Sequence, residues 1–202
     1  MKVISLFPTA WESNCYLLVE DGNALLIDAG APPEKVTARL MEENATLCGI
    51  LLTHGHFDHI LSIDRLRETY GAPVYIHKDD AAMLTDGHLN AYAVFFRENR
   101  TWQAADKLLS GGDTIPFGKT AIAVIHTPGH TRGSVSYRIG DHLFSGDTIF
   151  ADGYGRTDLA GGSYEELTRS LGRLFALSPT LTVYPGHGMT ATLEQVKRNL
   201  GF

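Results

Sequence analysis

Residues 53–59 read Thr-His-Gly-His-Phe-Asp-His and concentrate side chains that bind metal ions. The segment holds three imidazoles and one carboxylate within six positions, and it directly follows the apolar run 49–52. Imidazole nitrogens and carboxylate oxygens are the usual protein ligands of zinc and of its neighbours in the first transition row. Because so many polar side chains are costly inside a core, the segment predicts a metal site. Its candidate ligands are His54, His56, Asp58 and His59.

Three later loops carry further candidate ligands, each after an apolar run. Residues 128–130 and 185–187 both read Pro-Gly-His, and a Gly-Asp pair ends the third run. Glycine beside each candidate ligand allows the backbone to come close, and loops at strand ends are where rigid scaffolds usually build their sites. We therefore expect His130, Asp147 and His187 to complete the metal site. The remaining histidines lack this pattern and are interpreted as structural: His77, His88, His126 and His142.

The elements that must position these loops follow from the apolar spacing. Short apolar runs predict strands over 3–7, 15–20, 24–28, 49–53, 74–76, 107–109, 114–116, 120–125, 134–139, 142–144 and 182–184. Helical spacing predicts helices over 34–44, 60–70, 164–177 and 193–200. Strands with a helix, followed by strands with a helix again, predict two sheets face to face with helices outside.

The segment 78–103 is rich in aromatic side chains and predicts short helices. Aromatic residues at this density are more often packing than a ligand site. We interpret them as core, and the alternative is one wall of a substrate cleft.

Composition narrows the classes of function. The chain has 202 residues, 44% of them hydrophobic, and a formal net charge of -6, so nucleic acid is not an expected partner. Neither a signal-like apolar stretch near the start nor an 18-residue apolar run is present, which predicts a soluble cytoplasmic protein without a membrane segment. Cys15 and Cys48 are predicted to be buried free thiols.

These motifs resemble those of the metallo-β-lactamase superfamily. Residues 53–59 match its HxHxDH signature, the three later ligand motifs match as well, and Asp28 matches the aspartate after an early strand. The resemblance covers essentially the whole chain and implies an α+β fold, a four-layer αβ/βα sandwich, in a single domain over 1–202. Within the superfamily the chain is most similar to short, single-domain glyoxalase II-like (hydroxyacylglutathione hydrolase) enzymes, on the stretches 146–150 and 153–159.

The resemblance implies two divalent metal ions, zinc in the first place, with iron or manganese as alternatives. It assigns one ion to His54, His56 and His130. It assigns the other to Asp58, His59 and His187, with Asp147 bridging both. Asp28 would bind a ligating imidazole and fix its tautomer. Asp58 would also be the catalytic carboxylate, and Arg156 matches a substrate-contacting basic residue, although it is equally compatible with a surface salt bridge.

The implied activity is hydrolysis of a small-molecule thioester, hydroxyacylglutathione-like, or of a related ester, by a hydroxide shared between the ions. Full glyoxalase II enzymes bind glutathione with a C-terminal helical domain, which has no counterpart before Phe202. A persulfide dioxygenase is the main alternative, with one iron on His54, His130 and Asp147. A lactonase or other esterase and a non-catalytic metal-binding module are further alternatives. The sequence leaves the oligomeric state open.

Overall fold

Two six-stranded sheets form the centre of the part of the chain that the structure describes, residues 1–6 and 13–202. The structure is a computed structural model. The first sheet follows the chain order: β1 (Lys2–Leu6), β2 (Cys15–Glu20), β3 (Asn23–Ile27), β4 (Thr46–Leu51), β5 (Val74–His77) and β6 (Lys107–Leu109). Strands β1 to β3 are antiparallel, and β3 to β6 are parallel.

The second sheet also follows the chain order, from β7 to β12. Its strands are β7 (Thr114–Phe117), β8 (Thr120–His126), β9 (Val135–Ile139), β10 (His142–Gly146), β11 (Thr182–Pro185) and β12 (Ala191–Thr192). Neighbours are antiparallel except β10 and β11, which are parallel. Because β8 and β10 both pair antiparallel with β9, the strands β8, β10 and β11 all end at the same edge.

The helices cover the outer faces of the sheets. They are α1 (Pro33–Glu42), α2 (Phe57–Ile60), α3 (Ile63–Tyr70), α4 (Tyr92–Phe96), α5 (Tyr164–Phe175) and α6 (Leu193–Asn199), with a 3₁₀ helix over Lys78–Thr85. Ser163 caps α5 by accepting a hydrogen bond from the Glu166 amide. No helix within the described residues is both long and apolar enough to cross a bilayer.

Three apolar layers separate the sheets and helices. One lies between the first sheet and its helices and includes Leu40. A second lies between the two sheets and includes Tyr137, and a third packs α5 and α6 on the second sheet around Leu171. Helix, sheet, sheet and helix therefore form four layers, which confirms the predicted α+β sandwich.

Burial on both faces explains the continuous apolar runs. In β2, Cys15 and Leu17 belong to the layer under the helices, while Tyr16 and Leu18 belong to the layer between the sheets. Successive side chains of a strand point to opposite faces, so a strand buried on both sides needs apolar residues at every position.

Several predicted bounds were wrong. The helix predicted over 60–70 is two helices, because Ser62 donates through its amide to Ala29 O (2.9 Å) and through its hydroxyl to Ala31 O (2.6 Å). Helix α5 ends two residues before Leu177, and β12 is too short to be recognised from a pattern. Phe7, the last residue of the first predicted strand, lies outside the described residues.

The two cysteines differ, and the prediction that both are buried was wrong for Cys48. Cys15 is buried, and its sulfur accepts a hydrogen bond from the Ala31 amide at 3.0 Å. Cys48 is exposed because β4 has a bulge there: Leu47 pairs with Ala24 and Gly49 with the next residue, Leu25, so Cys48 is the extra, unpaired residue of the strand.

We expect one of the two thiols to react with a disulfide reagent in the native protein. Burial raises the pKa of Cys15 to about 12, so its thiolate is scarce and inaccessible. Titration with dithionitrobenzoate should give one fast thiol before unfolding and two after it. Cys48→Ser should remove the fast thiol, and a fast reaction that persists in that variant would contradict the burial of Cys15.

Candidate metal centre

The predicted ligands converge at one edge of the sandwich, where strands of both sheets end. They follow β4 (His54, His56, Asp58 and His59), β8 (His130), β10 (Asp147) and β11 (His187). The strands β8, β10 and β11 run in one direction, so their following loops meet at this edge. The sheet topology thus brings together side chains that are distant in sequence.

The first group is formed by His54, His56 and His130, which are all buried. One ligand atom from each lies within 4.8 Å of the others. His56 Nδ1 faces His130 Nε2 at 2.9 Å. Two ligands about 2.1 Å from one tetrahedral ion lie about 3.4 Å apart, so this spacing suits nitrogens that share a cation.

The second group is formed by Asp58, His59 and His187. His187 Nε2 lies 3.1 Å from Asp58 Oδ2, and His59 Nε2 lies 3.7 Å from the same oxygen. One ligand atom from each of these three residues lies within 4.8 Å of the other two, so the group could hold one ion. Asp58 and His59 are consecutive residues of the short helix α2; Asp58 lines the cavity, whereas His59 is fully buried.

Asp147 lies between the two groups. Its Oδ1 is 3.3 Å from His59 Nε2 in the second group. Its Oδ2 is 3.6 Å from His130 Nε2 in the first group and 3.6 Å from His187 Nε2 in the second. A carboxylate in contact with both groups is in the position of a bridge.

Unpaired polar atoms show that these residues fit divalent cations. Within the described residues, His54 Nε2, His59 Nε2 and Asp147 Oδ1 are buried without a hydrogen-bond partner. A buried polar atom without a partner destabilises the fold, and native proteins hold few of them. Cations between the groups would pair all three atoms.

The protonation states also suit metal binding. Burial and the neighbouring imidazoles lower the pKa of His54 well below its ordinary value, and they lower the pKa of His56 to about 3. Burial alone would raise the pKa of Asp58 and of Asp147, but the adjacent His59 outweighs it and holds both below their usual range. Neutral imidazoles and ionised carboxylates are the forms that bind metals. Burial alone would lower the pKa of His59 and of His187, but the neighbouring carboxylates raise both, so metal binding would release a proton from each of these two rings.

Outer hydrogen bonds orient the ligating rings. His59 donates from Nδ1 to Asp28 Oδ2 at 2.8 Å, so its Nε2 is left facing Asp58 and Asp147. The Thr53 hydroxyl donates to the same Asp28 oxygen (2.8 Å) and therefore accepts from His54 Nδ1 (3.1 Å). In this arrangement one carboxylate, that of Asp28, determines the tautomer of one ring directly and, through Thr53, that of a second.

We expect Asp28→Asn to weaken metal binding by about 10- to 100-fold. The carboxamide keeps one oxygen for the Thr53 amide, which now bonds Asp28 Oδ1 at 2.8 Å, but it places an NH₂ group against His59 Nδ1. His59 then carries its proton on Nε2, where it blocks the metal. Metal affinity measured by competition with a chelator tests this.

Asp21→Asn is the matched control, because Asp21 (φ 50°) shares the left-handed backbone of Asp28 (φ 57°) but is exposed. It should bind metal like the wild type. Equal affinity in Asp28→Asn and Asp21→Asn would rule out tautomer control by Asp28.

The first Pro-Gly-His loop depends on its glycine. Gly129 has φ +138°, and a Cβ there would overlap the backbone of Leu167 at the start of α5. The loop is also held by the Ser163 amide, which donates to Gly129 O at 2.8 Å. Close contact with α5 therefore fixes the loop that presents His130.

A cavity of about 390 Å³ opens over the ligands. Apolar residues form much of its lining: Phe57, Ala91, Phe95, Phe96 and Leu159. The packing interpretation of segment 78–103 is confirmed for Met83, Leu84 and Trp102, which are buried, but it was wrong for Phe95 and Phe96. Their position at the cavity matches the alternative of a cleft wall, because the short helix α4 holds them over the site.

Arg156 lines the same cavity and forms a salt bridge, while its contact with substrate stays a prediction. Its guanidinium makes two bonds to the Asp158 carboxylate, at 2.6 and 2.7 Å, and its side chain is 49% exposed. Its backbone carbonyl accepts from His130 Nδ1 at 2.7 Å, which leaves His130 Nε2 facing Asp147. Every residue type has a backbone carbonyl, so the sequence could not reveal this hydrogen bond to His130.

The four other histidines lie outside the cavity lining. His77 and His126 stack with ring centres 4.2 Å apart and planes 11° apart, with Asp79 beside them. Because the two rings are nearly parallel, the lone pairs in their planes run side by side and do not converge on one point. This arrangement favours ring stacking over a shared metal ion. His142 packs on Tyr184, and His88 is exposed.

Curated relatives are similar over nearly the full chain. An uncharacterised protein of Mycobacterium tuberculosis is 40% identical over 92% of this chain and 90% of its own length. The probable metallo-hydrolase YqgX of Bacillus subtilis is 38% identical over 88% of this chain and 85% of its own. The probable polyketide biosynthesis zinc-dependent hydrolase BaeB of Bacillus velezensis is 32% identical over 91% and 76%.

Solved structures share the fold closely. The BLEG-1 B3 metallo-beta-lactamase superposes with a TM-score of 0.92 at 35% identity, over 98% of this chain and 97% of that one. TTHA1623 in a di-iron-bound form gives 0.85 at 33%, over 98% of both chains. ETHE1 from Myxococcus xanthus gives 0.83 at 30%, over 100% of this chain and 84% of that one.

The family comparison agrees with the relatives and with the geometry. The profile of the Metallo-beta-lactamase superfamily matches residues 8–187, a range that contains every candidate ligand. The same ligands meet at the sheet edge that the resemblance implied. The chain therefore belongs to the metallo-β-lactamase superfamily.

Proposed function

We propose that the chain hydrolyses a small-molecule thioester, of the hydroxyacylglutathione kind, or a related ester. The observation that carries the proposal is the pair of donor groups joined by Asp147 at the floor of an open cavity. Relatives named as metallo-hydrolases support it, because they are similar over most of this chain.

We assign two divalent ions to the two groups. One would be held by His54, His56 and His130, and the other by Asp58, His59 and His187, with Asp147 between the two groups. Five imidazoles and two carboxylates suit zinc, and they also suit iron or manganese. Bound ions of this kind supply hydroxide near neutral pH and polarise a carbonyl.

The chain's own residues orient the reaction. Asp58, 16% exposed at the cavity floor, accepts a hydrogen bond from the attacking water and directs its oxygen at the carbonyl carbon. A bond forms between the water oxygen and the carbonyl carbon, and the carbon–sulfur bond breaks. One proton of the water goes to the leaving thiolate, and the other is released to solvent as the product carboxylic acid ionises. Within the described residues the cavity lining contains no serine, threonine or cysteine, so water is the nucleophile.

Metal content measured together with hydrolysis of S-D-lactoylglutathione tests the proposal. We expect two ions per chain and release of glutathione. One iron per chain with oxygen uptake on glutathione persulfide would instead favour a dioxygenase on His54, His130 and Asp147. Hydrolysis of lactones or oxygen esters alone would favour an esterase, and two bound ions with no turnover on a broad panel would favour a binding module.

A further inference from the structure

An aromatic wall, formed by Phe57, Phe95 and Phe96, stands directly beside the candidate ligands. The Phe57 ring centre lies 5.6 Å from that of Phe95 and 5.4 Å from that of Phe96. Phe57 is also the residue between His56 and Asp58, so the wall begins next to ligands of both groups. A group on the wall is therefore attached close to the reacting carbonyl.

The outer part of the wall is exposed to the cavity. Phe95 is 48% and Phe96 is 46% exposed, although both rings already contact Phe57. Helix α4, which carries them, lies between two left-handed residues, Ala91 (φ 66°) and Arg97 (φ 58°). Each such residue costs about 1–2 kcal/mol, so the chain presents these rings to the cavity at a conformational cost.

The three phenylalanines of the wall offer no positive charge to an anionic group. Within the described part of the chain, Arg156 is the one arginine or lysine in the lining, and Asp158 already binds it through two bonds. Its guanidinium carbon lies 5.9 Å from the centre of the Phe95 ring, at the exposed side of the wall. A charged thiol carrier such as glutathione extends towards this exposed side, which leaves the uncharged acyl half for the wall.

We propose that the aromatic wall binds the acyl group of the substrate and that this acyl group is apolar, a medium-length alkyl chain or an aromatic ring. The inference rests on the proposed hydrolase function and adds its substrate class. The small polar lactoyl group leaves most of the wall in water, whereas a hexanoyl or phenylacetyl group covers it.

S-acylglutathiones with one leaving thiol and different acyl groups test this on the metal-loaded protein. Burying a methylene contributes about fourfold in binding, so a half-exposed wall should raise kcat/KM on the order of 10- to 100-fold from acetyl to hexanoyl. Lactoyl should resemble acetyl, and phenylacetyl should resemble hexanoyl.

Phe95→Ala and Phe96→Ala should each lower the hexanoyl-to-acetyl ratio about three- to tenfold. Phe202→Ala is the matched control, because Phe202 is 57% exposed and packs on Phe175 in another layer. It should keep the wild-type ratio. Calorimetry on the wild type adds a measurement that needs no variant: phenylacetate should bind more tightly than acetate, with a negative heat-capacity change.

The outcomes separate the two proposals. A flat acyl series, or a preference that follows the thiol when the acyl group is held constant, would overturn the wall's role while hydrolysis stands. No turnover of any thioester or ester with two ions bound would overturn the proposed function itself.

Discussion

Asp147→Ala should lower hydrolysis by roughly two to four orders of magnitude without unfolding the protein. The carboxylate contacts His59, His130 and His187, so its removal separates the two donor groups. His56→Ala should have an effect of similar size, because it removes the nitrogen 2.9 Å from His130 Nε2. For each variant, steady-state kinetics measures the loss of hydrolysis, metal analysis measures the ions bound, and circular dichroism checks that the protein is folded.

Asp141→Ala provides the control for Asp147→Ala. Asp141 directly precedes β10 and is exposed, while Asp147 directly follows the same strand. The control should keep wild-type metal content and turnover. Unchanged turnover in well-folded Asp147→Ala and His56→Ala with measured metal content would rule out the ligand assignment.

The convergence of the candidate ligands could be predicted because residue types and loop motifs can be recognised locally in the sequence. His54, His56 and His59 are close by covalent connection, and the two Pro-Gly-His loops repeat one arrangement at strand ends. The four-layer fold followed from apolar runs buried on both faces. Ring orientation could not be predicted, because His56 turns Nδ1 inward while His59 turns Nε2 inward, and partners distant in sequence determine this.

The incorrect sequence predictions have one kind of cause, which is tertiary structure that the local sequence does not show. Ser62 ends α2 because it bonds the carbonyls of Ala29 and Ala31, which are distant in sequence. Cys48 points outward although its neighbours are apolar, since it is the extra residue of a β-bulge in β4, which the apolar pattern does not reveal. Phe96 is an aromatic residue of the kind usually found in a core. It lines the cavity instead, because α4 lies over that cavity.

Gly186→Ala should abolish the bridged arrangement and lower both metal content and hydrolysis by about 100-fold or more. A Cβ at this position would overlap Asp147 Oδ1 and would lie 2.7 Å from His59 Cε1. The backbone cannot retreat easily, because the Gly186 amide donates to Gly146 O (2.8 Å) and its carbonyl accepts from the Asn14 amide (2.7 Å). The methyl group must therefore displace the carboxylate.

The φ of Gly186 is outside the left-handed region, so alanine adds crowding there without backbone strain. Gly172→Ala, in the middle of α5 with nothing within 4 Å of its Cβ position, is the matched control. It should bind metal normally and gain about 0.5–1 kcal/mol in the free energy of unfolding. If Gly186→Ala also bound two ions and kept its hydrolysis rate, Asp147 could not be the bridge, because the site would function with its carboxylate displaced.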